Sequence, residues 1–330
     1  MANVREYPIS LSGQTPLVSI VIPAYNAADF IEQAIASVLS QEHVSFELIV
    51  VNDGSTDATL AKARSLLSRH RDNCFVISQT NMGEASAVNV GVTNSHGKYL
   101  CILSADDYLL PDHLIATTSI LESSPKAVVA YPDWLQVRKD RSLIRVVCTK
   151  EYSRSALIEE FLCIPGPGAV IRRSTITDNG LRDSSYRFIG DHKQWLELSE
   201  KGDFIRVAKP LAAYRMHDLQ VTKSGSAVAH SKEILRLVDE VATGAICPSF
   251  HTQNWNRMRA YAFYYAAYLS IRDPRVNGLA LLRQSSKNLS LLRRDHAVEP
   301  RRYSVVLAIL LSSASKSLRR LISSIQRRST

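Results

Sequence analysis

Two adjacent carboxylates close the segment "YLCILSADD", where a run too apolar to be exposed leads into Ser104, Ala105, Asp106 and Asp107. Carboxylates that emerge side by side from a buried strand repel each other and lose solvation, and a divalent cation or a donor-rich partner relieves both effects. The competing role is local: one of the pair caps a helix that starts near Pro111. Another aspartate, Asp53, ends the apolar run "ELIVV" and enters the turn "NDGSTD". It either bonds the backbone of its own turn or holds a ligand, while Gly54 makes the turn and Ser55 or Thr56 caps the next helix.

The elements that must position these residues alternate in type. "LVSIVI" at 17–22, "FELIVV" at 46–51, "CFVISQ" at 74–79 and "YLCIL" at 99–103 read as buried strands. Between them, helical spacing places Phe30, Ile31, Ala34, Ile35, Val38 and Leu39 on one face and continues in helices at 58–69 and 83–95. This order predicts an α/β fold, a mostly parallel sheet with helices on both faces. Ligands of such sheets bind beyond the carboxyl ends of the strands. Here those ends carry Pro23 to Asn26, Asp53, Gln79 to Asn81, and Ser104 to Asp107.

A helix at 112–122, a strand at 127–131, the loop "IPGPGAVIRRS", a helix at 191–200 and "VAKPLAAYRMHDLQVT" extend this region to about residue 222. Beyond it the pattern is helical only, in "SKEILRLVDEVA", "NWNRMRAYAFYYAAYLSI" and "GLALLRQSSKNLSLL". Tyr261, Tyr264, Tyr265 and Tyr268 share one helical stripe, read as packing.

Composition narrows the class. A chain of 330 residues with 45% apolar and 22% charged content fits a soluble protein of one large domain or two. Five cysteines without a CxxC pair argue for buried thiols in a reducing compartment. The N-terminus lacks a basic region followed by an apolar segment, so no signal peptide is expected and the location reads as cytoplasmic. Residues 231–330 hold 17 Lys and Arg against 6 Asp and Glu, while residues 1–230 hold 23 against 25. A basic end on a near-neutral body argues against a nucleic-acid partner and for a localised contact. In the final segment Leu318, Ile322 and Ile325 share a face beside several arginines. Residues 304–328 are therefore expected to lie on anionic lipid at the inner face of the membrane, the alternative being a packing or oligomer helix.

Taken in order, "IPAYN", "NDGSTD", "NMGEASAVNVG" and "LSADD" resemble the motifs of the family 2 glycosyltransferases, inverting enzymes of the GT-A fold, over about residues 16–222. The resemblance implies a GT-A domain with a mixed Rossmann-like sheet at 16–222, and the sequence pattern outside it divides the rest into an N-terminal tail at 1–15, a helical region at 223–300 and a basic amphipathic tail at 301–330. It implies that Pro23, Ala24 and Tyr25 border the base and ribose of a nucleotide-sugar, that Asp53 accepts a hydrogen bond from the base, and that Asn81, Gly83 and Asn89 shape the pocket wall. Ser104, Ala105 and Asp106 would meet the ribose and diphosphate. Asp106, Asp107 and His217 would hold Mn²⁺ or Mg²⁺, and Arg215 would meet phosphate. Asp191, in "YRFIGDHKQW", falls at the position of the catalytic base, with helix capping as its local alternative.

Three positions depart from the common pattern: Ser104 stands where an aspartate is frequent, Val88 where many members carry arginine, and Gly190 where glutamate is common. The implied activity is metal-dependent transfer from a nucleotide-sugar, UDP-linked, to a saccharide or lipid-linked saccharide acceptor in cell-surface polysaccharide synthesis. The alternative is a catalytically silent glycosyltransferase-like scaffold. A nicotinamide-dependent oxidoreductase is disfavoured, because "IPAYNAADF" has no glycine to admit a pyrophosphate.

Overall fold

The computed structural model describes residues 4–5, 15–68, 70, 73–162, 165–177, 180–218, 220, 226–249, 255–269, 276–278, 280–281 and 284. The tail read at 301–330, most of the helix read at 278–292, and Cys163 lie outside them. In chain order the elements are β1 (Val4–Arg5), β2 (Val18–Ala24), α1 (Ile31–Leu39), β3 (Phe46–Asp53), α2 (Thr59–Leu67), β4 (Cys74–Gln79), α3 (Glu84–Thr93), β5 (Tyr99–Ile102) and β6 (Tyr108–Leu109). There follow α4 (His113–Ser123), β7 (Ala127–Arg138), β8 (Leu143–Val147), α5 (Arg154–Glu159), β9 (Val170–Arg172), α6 (Gly190–Ser199), β10 (Asp203–Met216), α7 (Ala227–Ala242) and α8 (Trp255–Tyr268).

The chain divides into two compact units, Met1–Arg154 with Cys163–Gln220, and Ser155–Leu162 with Val221–Thr330. The segment 155–162, counted with the first region in the sequence, groups with the second unit. In that unit α7 starts at Ser226, whose hydroxyl accepts from the Ala229 N–H, and buries Ile234, Leu237, Val238 and Val241. Of the tyrosine stripe, Tyr261 is buried whereas Tyr265 and Tyr268 are exposed. No helix among the described residues is long and apolar enough to cross a membrane.

The first unit is built on one ten-stranded sheet in the order β1-β4-β3-β2-β5-β9-β7-β10-β6, with β8 paired to β7. The β4-β3-β2-β5 half is parallel, as the alternation of strands and helices requires, while β9 runs antiparallel to both β5 and β7. The sheet is mixed. Every residue of β2 is buried, which explains a continuous apolar run rather than an alternating one. Helix α1 covers it with Ile31, Ala34, Ile35 and Val38, a stripe at the helical period.

Two strands exceed their sequence reading. The strand expected at 127–131 continues through Pro132 to Arg138, and the segment around "VAKPLAAYRM" is a 14-residue strand, β10. They pair in parallel, with register shifts on both sides of Pro210. Proline has no N–H for the ladder, so the strand passes it only by an irregularity. The thiols differ from expectation at one place: Cys74, Cys101 and Cys247 are buried, but Cys148 is exposed. Burial pushes the Cys74 and Cys101 thiols up to about 12.

Helix α4 is not capped by Asp106 or Asp107. Its N-cap is Asp112, in left-handed geometry, and the Leu114 N–H is satisfied by Gln41 Oε1 at 3.1 Å. The first residue of α4, His113, is fully buried and its Nε2 donates to the Gly168 carbonyl at 2.7 Å. Gly168 has φ +78, and a Cβ there would stand 2.7 Å from His113 Nε2, so the Gly/Pro loop seats directly on this imidazole.

Burial pushes His113 down to about 4, so it is neutral in the fold, whereas the unfolded chain takes up a proton near 6.5. The stability this group contributes is present above 6.5 and lost as pH falls toward 4. Chemical unfolding over that range should show a loss of up to about 3 kcal/mol from this group. His113→Gln should flatten that part of the pH dependence.

Candidate active site

At the carboxyl edge of the sheet, the loops after β2 and β3 are stitched together. Asn26 Oδ1 accepts from the Thr56 N–H at 2.8 Å, and the Asn26 N–H donates to Ser55 Oγ at 3.1 Å. Ser55 and Thr56 are thus engaged across the loops rather than capping α2. The N-cap of α2 is Ala58, and the preceding Asp57 serves the first residue of the helix: its Oδ1 accepts from the Thr59 N–H at 3.0 Å and its Oδ2 from the Ala28 N–H at 3.1 Å. Burial alone would raise the Asp57 carboxyl, but the bonds from Thr59 and Ala28 outweigh it and hold the group below the usual carboxylate range.

Asp53 ties in the third loop. Its Oδ1 accepts from Gln79 Nε2 at 2.7 Å and from the Met82 N–H at 2.8 Å, and its Oδ2 accepts from the Gly83 N–H at 2.8 Å. The side chain does not bond its own turn. It collects donors at the amino end of α3, where Gly83 is the N-cap and a negative charge is favoured. Gly54 has φ +68, and a Cβ there would lie 2.7 Å from the Asn81 nitrogen, so only glycine permits this approach of the two loops. Tyr25 and Met82, 51% and 67% exposed, stand on the loops that flank Asp53.

Asn89, on α3, turns to a different neighbour. Its Oδ1 accepts from the Leu181 and Arg182 N–H groups at 3.0 and 2.9 Å, and its Nδ2 donates to the Arg182 carbonyl at 2.7 Å. Arg182 in turn reaches Glu84 at 2.8 Å and Gln194 at 3.2 Å, linking α3 to α6. Asn89 therefore positions the segment that delivers Asp191. Asp191 itself is exposed in the first turn of α6; Ile189 is the N-cap, and the Asp191 carboxylate accepts from the His192 N–H at 2.8 Å.

On the other side of the rim, Asp106 Oδ2 and His217 Nε2 are 2.8 Å apart, and His217 Nδ1 is buried without a partner among the described residues. Asp107 points away from this pair. It is 4% exposed and accepts from the Arg215 N–H at 2.9 Å, while burial and the adjacent Asp106 push its carboxyl well above the ordinary value. Arg215 is also buried. Its Nη2 donates to Gln33 Oε1, and its guanidinium lies over the rings of Phe30 and Tyr108 at 5.1 and 5.5 Å. The Arg215 Nε–H has no acceptor among the described residues. Phe30 also packs against the imidazole of His217, with ring centroids 4.5 Å apart.

Residues 19–177 match the family described as glycosyl transferase family 2. An uncharacterized glycosyltransferase of Rickettsia typhi is 32% identical over 217 residues, which are 64% of this chain and 67% of that relative. The chain belongs to glycosyl transferase family 2. The fold agrees with solved structures of S. aureus TarS 1–349 in complex with UDP-GlcNAc (TM-score 0.55, 17% identity, 82% of this chain and 88% of that one). It agrees equally with the mannosyltransferase PcManGT of Pyrobaculum calidifontis in complex with GDP-Man and Mn²⁺ (TM-score 0.54, 18% identity, 96% and 87%). The sheet and its flanking helices are thus a GT-A fold, and the protein is a glycosyltransferase.

In this glycosyltransferase the residues singled out in the sequence fall into three groups. Pro23, Ala24, Tyr25, Asp53, Asn81 and Gly83 share the stitched loops. Ser104 to Asp107, Arg215 and His217 share the opposite rim. Asn89 and Asp191 are connected through Arg182 and α6. Among the described residues no group of three or more His, Cys, Asp or Glu side chains is disposed around a metal position.

Phe30 and Gln33 are site residues that the sequence does not mark as such: Phe30 has only the helical spacing of 30–39, which marks a helix face and not what that face touches, and Gln33 has no signal. Asp53→Asn removes a charge that holds three donors, so urea unfolding should register a loss of about 1.5–3 kcal/mol.

Proposed function

We propose that this glycosyltransferase is a metal-dependent inverting enzyme that moves a sugar from a UDP-sugar to a saccharide or lipid-linked saccharide acceptor in cell-surface polysaccharide synthesis. The observation that carries the metal reading is the contact of Asp106 with His217. A carboxylate oxygen and an imidazole nitrogen facing each other, with the second imidazole nitrogen unpartnered among the described residues, are a donor set suited to Mn²⁺, and to Mg²⁺ less well. Asp106 and His217 would hold the ion, and Asp107 would back them by fixing the end of β10. When bound, such an ion offsets the charge that develops on a departing diphosphate.

The remaining roles fall to side chains. Tyr25 and the 81–83 loop would enclose the base above Asp53. Arg215, whose Nε–H has no acceptor among the described residues, would face phosphate. Asp191 would take the proton of the acceptor hydroxyl as that oxygen attacks the anomeric carbon and the bond to the diphosphate breaks on the opposite face, which inverts the configuration. Its place in the first turn of α6 sets the side chain at the amino end of that helix. The TarS complex with UDP-GlcNAc supports a uridine donor, and the PcManGT complex with GDP-Man makes guanosine the competitor to test.

Purified protein should hydrolyse at least one member of a panel of nucleotide-sugars slowly, in the presence of Mn²⁺. Asp106→Ala should remove the metal dependence together with the activity. Asp191→Asn should lower kcat for transfer by about 10²–10⁴-fold and leave the donor KM unchanged. A protein inert toward every donor and acceptor would instead be a silent scaffold.

A further inference from the structure

Seven large hydrophobic side chains are exposed among the described residues, and three of them, Leu143, Ile144 and Val146, lie on the five-residue strand β8. This strand pairs only with β7 and is the free limb of a hairpin. All residues from Arg138 to Val146 are exposed. Between Arg138 and Lys150 there are five basic residues, Arg138, Lys139, Arg141, Arg145 and Lys150, against one acid, Asp140. Asp140 is occupied by its own turn, accepting from the Ser142 N–H and hydroxyl at 2.9 and 2.7 Å. Arg145 donates to Gln136 and Arg138 to Ser142, and neither has a carboxylate partner among the described residues.

We propose that the β7–β8 hairpin is a docking surface for an anionic phospholipid bilayer, with its aliphatic side chains entering the interface and its arginines meeting the headgroups. Charge complementarity decides the occupant. A projecting apolar strand bordered by basic residues fits a negative, partly apolar interface. A second copy of the chain fits poorly. Antiparallel pairing of two β8 edges about their centre would set Arg145 against Arg145, and like charges directly opposite are destabilising.

The location adds a consequence for the site. Lys139, at the hairpin turn, pairs with Asp29 at 2.8 Å and lies 5.5 Å from the ring of Phe30, which packs on His217. A bilayer held by the hairpin would therefore lie beside the rim that carries His217, where an acceptor attached to lipid could be presented. The inference stands on surface chemistry alone and is independent of the residues 304–328.

The test is co-sedimentation of the full-length protein with vesicles of phosphatidylglycerol and phosphatidylcholine, compared with phosphatidylcholine alone. The protein should partition into the anionic vesicles and do so less as salt is raised. Arg141→Ala should weaken the partition about five-fold. The triple variant Leu143→Ser, Ile144→Ser, Val146→Ser should weaken it further, and because these side chains are about half exposed its thermal unfolding is to be measured beside the vesicle assay to show that the variant remains folded at the assay temperature. Tryptophan placed by Ile144→Trp should show blue-shifted emission when anionic vesicles are added. Equal partition into neutral vesicles, or unaltered partition of both variants, would overturn the proposal. So would a dimer that the triple variant dissolves without any effect of vesicles. Neither readout depends on transferase activity, so a failure here is distinguishable from a failure of the catalytic assignment.

Discussion

Three N–H donors converge on the Asp53 carboxylate, and the shape of the donor rim depends on that convergence. Asp53 is 3% exposed, so its charge is acceptable only because Gln79, Met82 and Gly83 supply hydrogen bonds at the positive end of α3. The requirement works in both directions. The Met82 and Gly83 N–H groups, the second of them at the N-cap of α3, have no helical partner, and the carboxylate satisfies both where they would otherwise need water. One side chain thus fixes where β3 ends and where α3 begins. Gly54, pressed on Asn81, holds the approach from the other side.

The opposite rim depends on register rather than on a single charge. Strand β6 pairs antiparallel with β10 through Tyr108 with Ala213 and Leu109 with Ala212. One step beyond those pairs, the chain must bring Asp106 and Asp107 next to the segment Arg215 to His217. The contacts Asp106 to His217 and Asp107 to Arg215 follow. A slip of one residue would send each side chain to the other face of the sheet and separate the pair. Phe30 then packs on the imidazole, and the Arg215 guanidinium packs on Phe30. The two acids, equivalent in sequence, have different work because one faces the rim and the other faces the β10 backbone.

Much of this was legible from the order of residues. The alternation of strands and helices gave the parallel half of the sheet, and the strand ends named the loops that meet. Asp53 posed a choice between its own turn and a ligand; its carboxylate bonds the adjoining loop rather than its own turn, and no pattern marks those partners because they lie 26 to 30 residues away. The same limit hid Phe30, whose partners lie far along the chain. The full lengths of β7 and β10 were obscured by Pro132 and Pro210, which break a strand pattern locally although long parallel pairing carries the chain past them. Strand β8 has no legible pattern because an exposed edge strand need not alternate, and Cys148, just beyond it, is exposed as well.

The donor site is most directly tested by a crystal structure of the protein with UDP and Mn²⁺ bound. Expected is metal density within ligand distance of both the Asp106 carboxylate and the His217 imidazole, with the uracil between Tyr25 and the 81–83 loop. Metal bound without either side chain, or the nucleotide seated away from the carboxyl edge of β2 and β3, would contradict the assignment.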